Sequence, residues 1–336
     1  MLKADDHRFD YRKFRRTTAR RNFGYGKLLT FAAHIVLLWL YGYGHHQTRH
    51  AHHVRFSRFV AFLRTNFQIV DARDIQQHHL ESYAEMLNSL ASSGQIKLSY
   101  AQNLLSSANT VMHGFRGDNA VWIAPAEAVG RRSQVRTAMP GGDWKQVEEV
   151  VEKLQSEGNA RAAAIVLLAR AFGMRYREAV LGDLNRMKRE ARSGHVVVLE
   201  GTKGGRRCAS RRIPIGDRQQ HALDFALKVR PDGSANLLAE GETFKGFLDT
   251  VAKAARPVLK ACGIRCYHDL RAARMIELYE SISDQPAPVR GLSLDPGRDT
   301  EARAQVAVQS GHGEHRTSVA YIGGKPRRSQ PETAND

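Results

Sequence analysis

Between His195 and Ile215 the chain carries a β-hairpin signal. A strand-like run His195–Leu199 leads into the turn Gly201-Thr202-Lys203-Gly204-Gly205, and a second run ends Arg212-Ile213-Pro214-Ile215. Glycine supplies the unusual φ values that such turns require. The other apolar stretches repeat at helical spacing. Leu80, Tyr83, Met86 and Leu87 recur in this way, as do Leu104, Leu105, Ala108 and Val111. Helices are expected over 28–41, 51–65, 76–91 and 97–115, then at about 144–158, 159–172, 217–229, 242–262 and 268–281. The predicted fold class is mostly α with a small antiparallel β-sheet.

With 336 residues, the chain is long enough for two domains with real cores. The spacing of elements suggests a basic N-terminal arm (1–27), a helical domain (28–126), a linker (127–143), a second domain (144–325) and a tail (326–336). The linker holds Gly130, Arg131, Arg132, Arg136, Pro140, Gly141 and Gly142 with no apolar period. Residues 282–300, with Pro286, Pro288, Gly291, Pro296 and Gly297, look like a loop insertion. Residues 28–48 carry no Asp, Glu, Lys or Arg, and Leu28–Leu40 is mostly apolar. A membrane span needs ~20 predominantly apolar residues. His34, Thr30 and the run from Gly42 to Gln47 interrupt this one, so a buried helix is expected and no membrane partner.

Charge narrows the partner. Lys+Arg is 51 against Asp+Glu 34, a net +17, the footprint of a nucleic-acid binder. Met1–His50 alone holds 10 basic and 3 acidic residues. Arg12, Lys13, Arg15 and Arg16 in the arm, Arg131 and Arg132 in the linker, and Arg206 and Arg207 by the turn are candidate phosphate contacts. Arg211 and Arg212 also read as phosphate contacts. The three cysteines, Cys208, Cys262 and Cys266, with no secretory leader pattern, fit a reducing cytosol rather than a disulfide framework. Cys262, Cys266 and His268 lack a fourth ligand for a closed zinc site. The group His45, His46, His50, His52 and His53 fits a polar inter-helix surface better than a metal site. No metal and no cofactor are expected.

Three fragments carry the chemistry. The first is Gly173-Met174-Arg175-Tyr176-Arg177-Glu178. The second is His268-Asp269-Leu270-Arg271. The third is Ser310-Gly311-His312-Gly313-Glu314-His315-Arg316-Thr317-Ser318-Val319-Ala320-Tyr321. None is specific alone, and an exposed Arg–Glu helix pair or an ordinary tyrosine near the tail would look the same. A guanidinium offers a rigid, permanently charged fork of donors suited to a phosphodiester gaining charge. His268 and Arg271 lie one helical turn apart on the same side. Ala272, Met275, Ile276 and Tyr279 would form the buried face of their helix.

In this order, with a lysine-bearing hairpin after Arg175 and His312 nine residues before Tyr321, the set resembles the active site of the tyrosine recombinases, or phage integrases. The resemblance covers roughly 145–325 in motif terms and 52–135 more loosely. It implies Arg175 and Arg271 as phosphate clamps and Glu178 as the group holding the Arg175 fork. It makes Lys203 the general acid for the 5′-hydroxyl, His268 an aid to proton transfer and His312 a hydrogen-bond donor to the phosphate. Tyr321 would be the nucleophile, and surrounding cations favour a phenolate. The chain departs from the pattern in two places. The gap from Arg271 to His312 is long, and Ser310 stands where leucine is common.

The resemblance further implies a two-domain, C-shaped clamp on double-stranded DNA, in which a helical core-binding domain faces an α+β catalytic domain. Four protomers would act on two DNA sites through a Holliday junction, with a directionality or host accessory factor. The tail after Tyr321 would dock on a neighbouring protomer. The expected role is the integrase of a mobile element, cytoplasmic and nucleoid-associated. The alternatives are a Xer-like resolvase and a catalytically inactive DNA-binding relative.

Overall fold

The computed structural model describes residues 10–205, 209–291, 295–311 and 318–324. The chain divides into two compact units between Ser133 and Gln134.

The first unit is helical: α1 (Leu29–Tyr41), α2 (His46–Phe67), α3 (Gln77–Ser92), α4 (Leu98–Arg116) and a single turn α5 (Pro125–Ala128). Helix α4 touches each of the others. It buries Leu104, Leu105, Ala108, Val111, Met112 and Phe115. Gly114 lets α1 come close, because a side chain there would run into Val36 and Leu40. Ile35 to Leu38 of α1 are all buried, so the apolar run is core. No helix among the described residues is long and apolar enough to cross a membrane.

The histidines sit at the start of α2, which begins earlier than its apolar period. His52 hydrogen-bonds Ser107 of α4 (3.2 Å) and Tyr41 of α1 (3.3 Å), and the His53 ring bonds the Thr30 carbonyl (3.1 Å). The basic arm is stitched in from residue 10 onward. Tyr11, Phe23 and Tyr25 enter the same core. Buried Asn22 donates its backbone N–H to Asp71 (2.8 Å), and its side-chain oxygen accepts from Ala72 (2.7 Å). Arg12, Lys13, Arg15 and Arg16 stay exposed.

The second unit is built around α7 (Ala160–Phe172), in which every residue from Ala162 to Phe172 is buried. Its alanines allow close packing against α6 (Trp144–Ser156), α10 (Asp217–Val229) and α13 (Tyr267–Ser283). Asp143 caps α6 by accepting from Gln146 (2.9 Å), while the Gln146 side chain accepts from the Gly142 N–H (2.7 Å). Between them run α8 (Tyr176–Leu181), α9 (Leu184–Ala191), β1 (His195–Val197) and β2 (Arg212–Pro214). The strands pair antiparallel, with Val196 opposite Ile213, both fully buried. Further on come α11 (Phe244–Phe247), a π-helical stretch Leu248–Ala252, α12 (Lys253–Ala261), α14 (Pro296–Gln309) and the single turn α15 (Val319–Ile322).

One expectation needs correction here. Residues 282–300 are not one loop. Helix α13 runs to Ser283, and Asp295 caps α14 with Pro296 at its first position. Proline is favoured there because the missing N–H would have had no helical partner. Between the paired strands, Gly201, Gly204 and Gly205 take the left-handed φ values expected of them (69°, 72° and 70°).

Candidate active site

Helix α7 stops at Gly173, whose φ of 63° is left-handed. A Cβ there would come within 2.5 Å of the Met275 side chain on α13. The chain therefore turns sharply and sets Arg175 as the N-cap of α8. Glu178 folds back onto it. One carboxylate oxygen accepts the Arg175 backbone N–H (2.7 Å) and the other accepts from its guanidinium (2.6 Å). This is not an exposed helix pair, because Glu178 is fully buried and also contacts Arg211 (2.9 Å) and Arg271 (3.6 Å). Burial alone would raise the Glu178 pKa, but Arg211, Arg271 and Arg175 outweigh it and hold the carboxyl below its ordinary range.

Arg271 lies one turn into α13 and is fully buried. Its Nε donates to the Tyr321 hydroxyl (2.9 Å), one terminal nitrogen to the Gly173 carbonyl (2.5 Å) and the other to the Ser310 carbonyl. Its guanidinium carbon lies 5.3 Å from the centre of the Tyr321 ring. Tyr321 is itself buried, at 3% exposure. His268, one turn before Arg271, has its ring centre 5.5 Å from that of Tyr321. The His268 side chain meets solvent yet is crowded by protein. Burial, then Arg271 and Arg136, pull its pKa below the ordinary imidazole value, against the opposing pull of Asp269.

The structure thus gathers Arg175, Glu178, His268, Arg271 and Tyr321 into one cluster. Lys203 is exposed in its turn. That turn leans on α8, since a side chain at Gly201 would strike the Arg177 carbonyl. His312, Arg206, Arg207 and Cys208 lie outside the described residues. Arg131 and Arg132 are exposed.

Arg211 is a further correction. It is no surface phosphate contact but is 1% exposed. Besides Glu178 it donates to the carbonyls of Gln309 (2.8 Å) and Gly173 (3.2 Å). Burial lowers its pKa to about 10, with Glu178 opposing. Arg136 was missed: it bonds Asp269 (3.2 Å) and the backbone around Tyr321. Its place in a Gly- and Pro-rich linker carried no signal of this. Among the described residues, no group of three His, Cys, Asp or Glu could hold a metal ion.

Residues 132–277 match the integrase family. No curated protein matches the chain. Among solved structures, it is similar to a lambda integrase fragment bound as a dimer to a COC′ core site. The identity is 17% and the TM-score 0.55, over 89% of this chain and 96% of that one. A Tn1549 transposon integrase fragment in complex with circular intermediate DNA is similar at 12% identity and TM-score 0.56, over 90% and 97%. A lambda integrase tetramer bound to a Holliday junction gives 18% and 0.51, over 88% and 77%. At these identities the likeness establishes the fold.

Proposed function

We propose that this chain, whose residues 132–277 belong to the integrase family, is a site-specific DNA recombinase that cleaves and rejoins strands through a 3′-phosphotyrosine. The observation that carries the reading is Arg271, whose Nε lies 2.9 Å from the tyrosine hydroxyl and which shares the buried Glu178 carboxylate with Arg175. An arginine pair fixed by a buried carboxylate would meet a phosphate with its donors pre-oriented, and such preorganised electrostatics is commonly a large part of catalysis.

The step would run as follows. The Tyr321 oxygen attacks the scissile phosphorus, and its proton passes to His268, whose lowered pKa favours the neutral, accepting ring. Charge gathers on the non-bridging oxygens, where Arg175, Arg271 and the proposed donor His312 would stabilise it. The bond from phosphorus to the 5′ oxygen breaks, and Lys203 protonates that oxygen. A 3′-phosphotyrosine and a free 5′-hydroxyl result. The phosphodiester's energy is kept in the phosphotyrosine, so rejoining is attack by the 5′-hydroxyl of a partner strand, with no ATP consumed.

The partner is duplex DNA, as the net charge of +17 favours. The DNA-bound lambda and Tn1549 integrases support a mobile-element integrase acting as a tetramer on paired sites. In that role the chain works in the cytoplasm, at the nucleoid. The test is a nicked suicide duplex carrying candidate attachment sites. The wild type should give an SDS-resistant protein–DNA adduct that Tyr321→Phe abolishes. Tight duplex binding with no adduct on a verified site would overturn the reading.

A further inference from the structure

We propose that Arg303 and Arg136 are positioning residues that clamp the backbone on either side of Tyr321 and hold its hydroxyl at the arginine cluster. The inference rests on the reading of Tyr321 as nucleophile.

The tyrosine sits on a weak element. Helix α15 is only four residues long, Val319–Ile322, and one helical turn has no stability of its own. Tyr321 and Ile322 are buried against Ala272, Met275, Ala302 and Val306. That apolar contact is non-directional, whereas a nucleophile needs its oxygen fixed to well under an ångström. Directional bonds must supply the rest.

Two arginines from distant parts of the chain supply them. Arg303, on α14, reaches the Ser318 hydroxyl (3.4 Å) before the tyrosine and the carbonyls of Gly323 (3.3 Å) and Gly324 (3.4 Å) after it. It is 3% exposed. Its Nε is gripped by both oxygens of Asp299 (2.8 and 2.9 Å), and Asp299 also accepts from the Tyr279 hydroxyl (2.7 Å). Arg136 holds the middle. Its backbone N–H donates to the Val319 carbonyl (3.0 Å) and its Nε to that of Ala320 (3.3 Å). Its terminal nitrogen meets Asp269 (3.2 Å), the residue next to His268.

A buried ion pair such as Arg303–Asp299 is weak evidence of stabilisation, because apolar residues of the same volume often do as well. What leucine or methionine cannot do is satisfy several carbonyls of an irregular segment at once. A guanidinium with five N–H donors can. Arg136 acts in the same way at the His268 end of α13, so one side chain ties the tyrosine turn to the histidine's helix.

Single-turnover cleavage of the nicked duplex should therefore be measured for Arg136→Ala, Arg136→Lys and Arg303→Lys beside wild type and Tyr321→Phe, with duplex affinity and melting temperature recorded for each. Arg303→Ala is avoided because it would strand the Asp299 charge. The expected result is a cleavage rate lowered roughly 10- to 100-fold, the cost of about an ångström of misplacement. Duplex affinity should stay within about twofold, and Arg136→Lys should not restore the rate because an ammonium lacks the planar fork. Arg136→Ala and Arg303→Lys both cleaving at the wild-type rate would overturn the inference, as would losses of rate that track losses of affinity or melting temperature. An adduct that persists in Tyr321→Phe would instead refute the nucleophile reading on which the inference stands.

Discussion

Replacing Glu178 by glutamine should destabilise the second unit far more than an ordinary surface change. The carboxylate is fully buried and faces Arg211 at 2.9 Å and Arg271 at 3.6 Å, both also buried. Taking one partner from a buried ion pair costs ~3–5 kcal/mol, because the remaining charge loses its compensation without regaining water. Here two guanidiniums are stranded, and the new amide group points N–H donors at other donors, so the upper end is expected. For a unit the size of Gln134–Asp336, each kcal/mol is worth ~2–4 °C. The expected fall in melting temperature is thus roughly 10–20 °C at pH 7. The folded pKa of Glu178 is depressed, so its contribution is present above the unfolded carboxyl value of about 4.3 and is lost as pH falls through the folded value. Wild type and Glu178→Gln should accordingly begin to converge in stability below about pH 4 and meet only as pH falls through the depressed folded value. Thermal melts across pH 3–8, with exposed Glu152→Gln as control, test this. A Glu178→Gln melt within about 1 °C of wild type at pH 7 would refute the account. Glu178→Leu combined with Arg211→Met should recover part of the stability, because Arg271 stays buried without the carboxylate, yet not cleavage, since Arg175 would lose its support.

The acid limb of cleavage should lie below the ordinary imidazole value of about 6.5, because burial, Arg271 and Arg136 depress His268. Asp269→Asn should lower it further and Arg136→Ala should raise it, and a wild-type limb at or above 6.5 would count against His268 as proton acceptor. Lys203→Ala should slow cleavage of an ordinary duplex by ~10²–10⁴, but leave a substrate with a 5′-sulfur leaving group almost untouched. Equal slowing of both substrates would remove Lys203 as general acid. Duplex affinity should fall linearly on a log–log plot against salt. Removing Arg131 and Arg132 together should reduce the slope by about two, and an unchanged slope would mean that they touch no phosphate.

What could be read from the chain was what short-range physics writes there. Helix α10 spans the expected 217–229, and the strand pairing follows the alternation around Val196 and Ile213. Arg175, Glu178, His268 and Arg271 were singled out by their order along the chain with Lys203, His312 and Tyr321, since neither pair is specific alone. The misses among the charged residues share a cause, which is that burial of a charge depends on tertiary partners. Of the basic residues Arg206, Arg207, Arg211 and Arg212, nothing local distinguishes Arg211, which is buried because Glu178 and the Gly173 and Gln309 carbonyls converge on it. Arg303 and Arg136 are hidden in the same way. Helix α14 was missed because Pro296 and Gly297 resemble loop residues, although Asp295-Pro296 is also a helix start.

The burial of Arg271 has a mechanical consequence for the proposed chemistry. Each of its nitrogens already meets a protein oxygen, on Tyr321, Gly173 or Ser310, and none of its surface reaches solvent. A phosphate can receive its donors only by displacing some of those oxygens. The Gly173 carbonyl belongs to the turn that ends the buried helix α7, fixed by a left-handed glycine packed on Met275, and cannot yield cheaply. Ser310 ends α14 and Tyr321 sits on the single turn α15, whose backbone Arg303 and Arg136 hold while Arg271 donates to its hydroxyl. A phosphate arriving at Arg271 would compete for the donors now given to the Ser310 carbonyl and the Tyr321 hydroxyl. The same arginine that meets the hydroxyl in the DNA-free chain would then also stabilise the phosphate that the hydroxyl attacks.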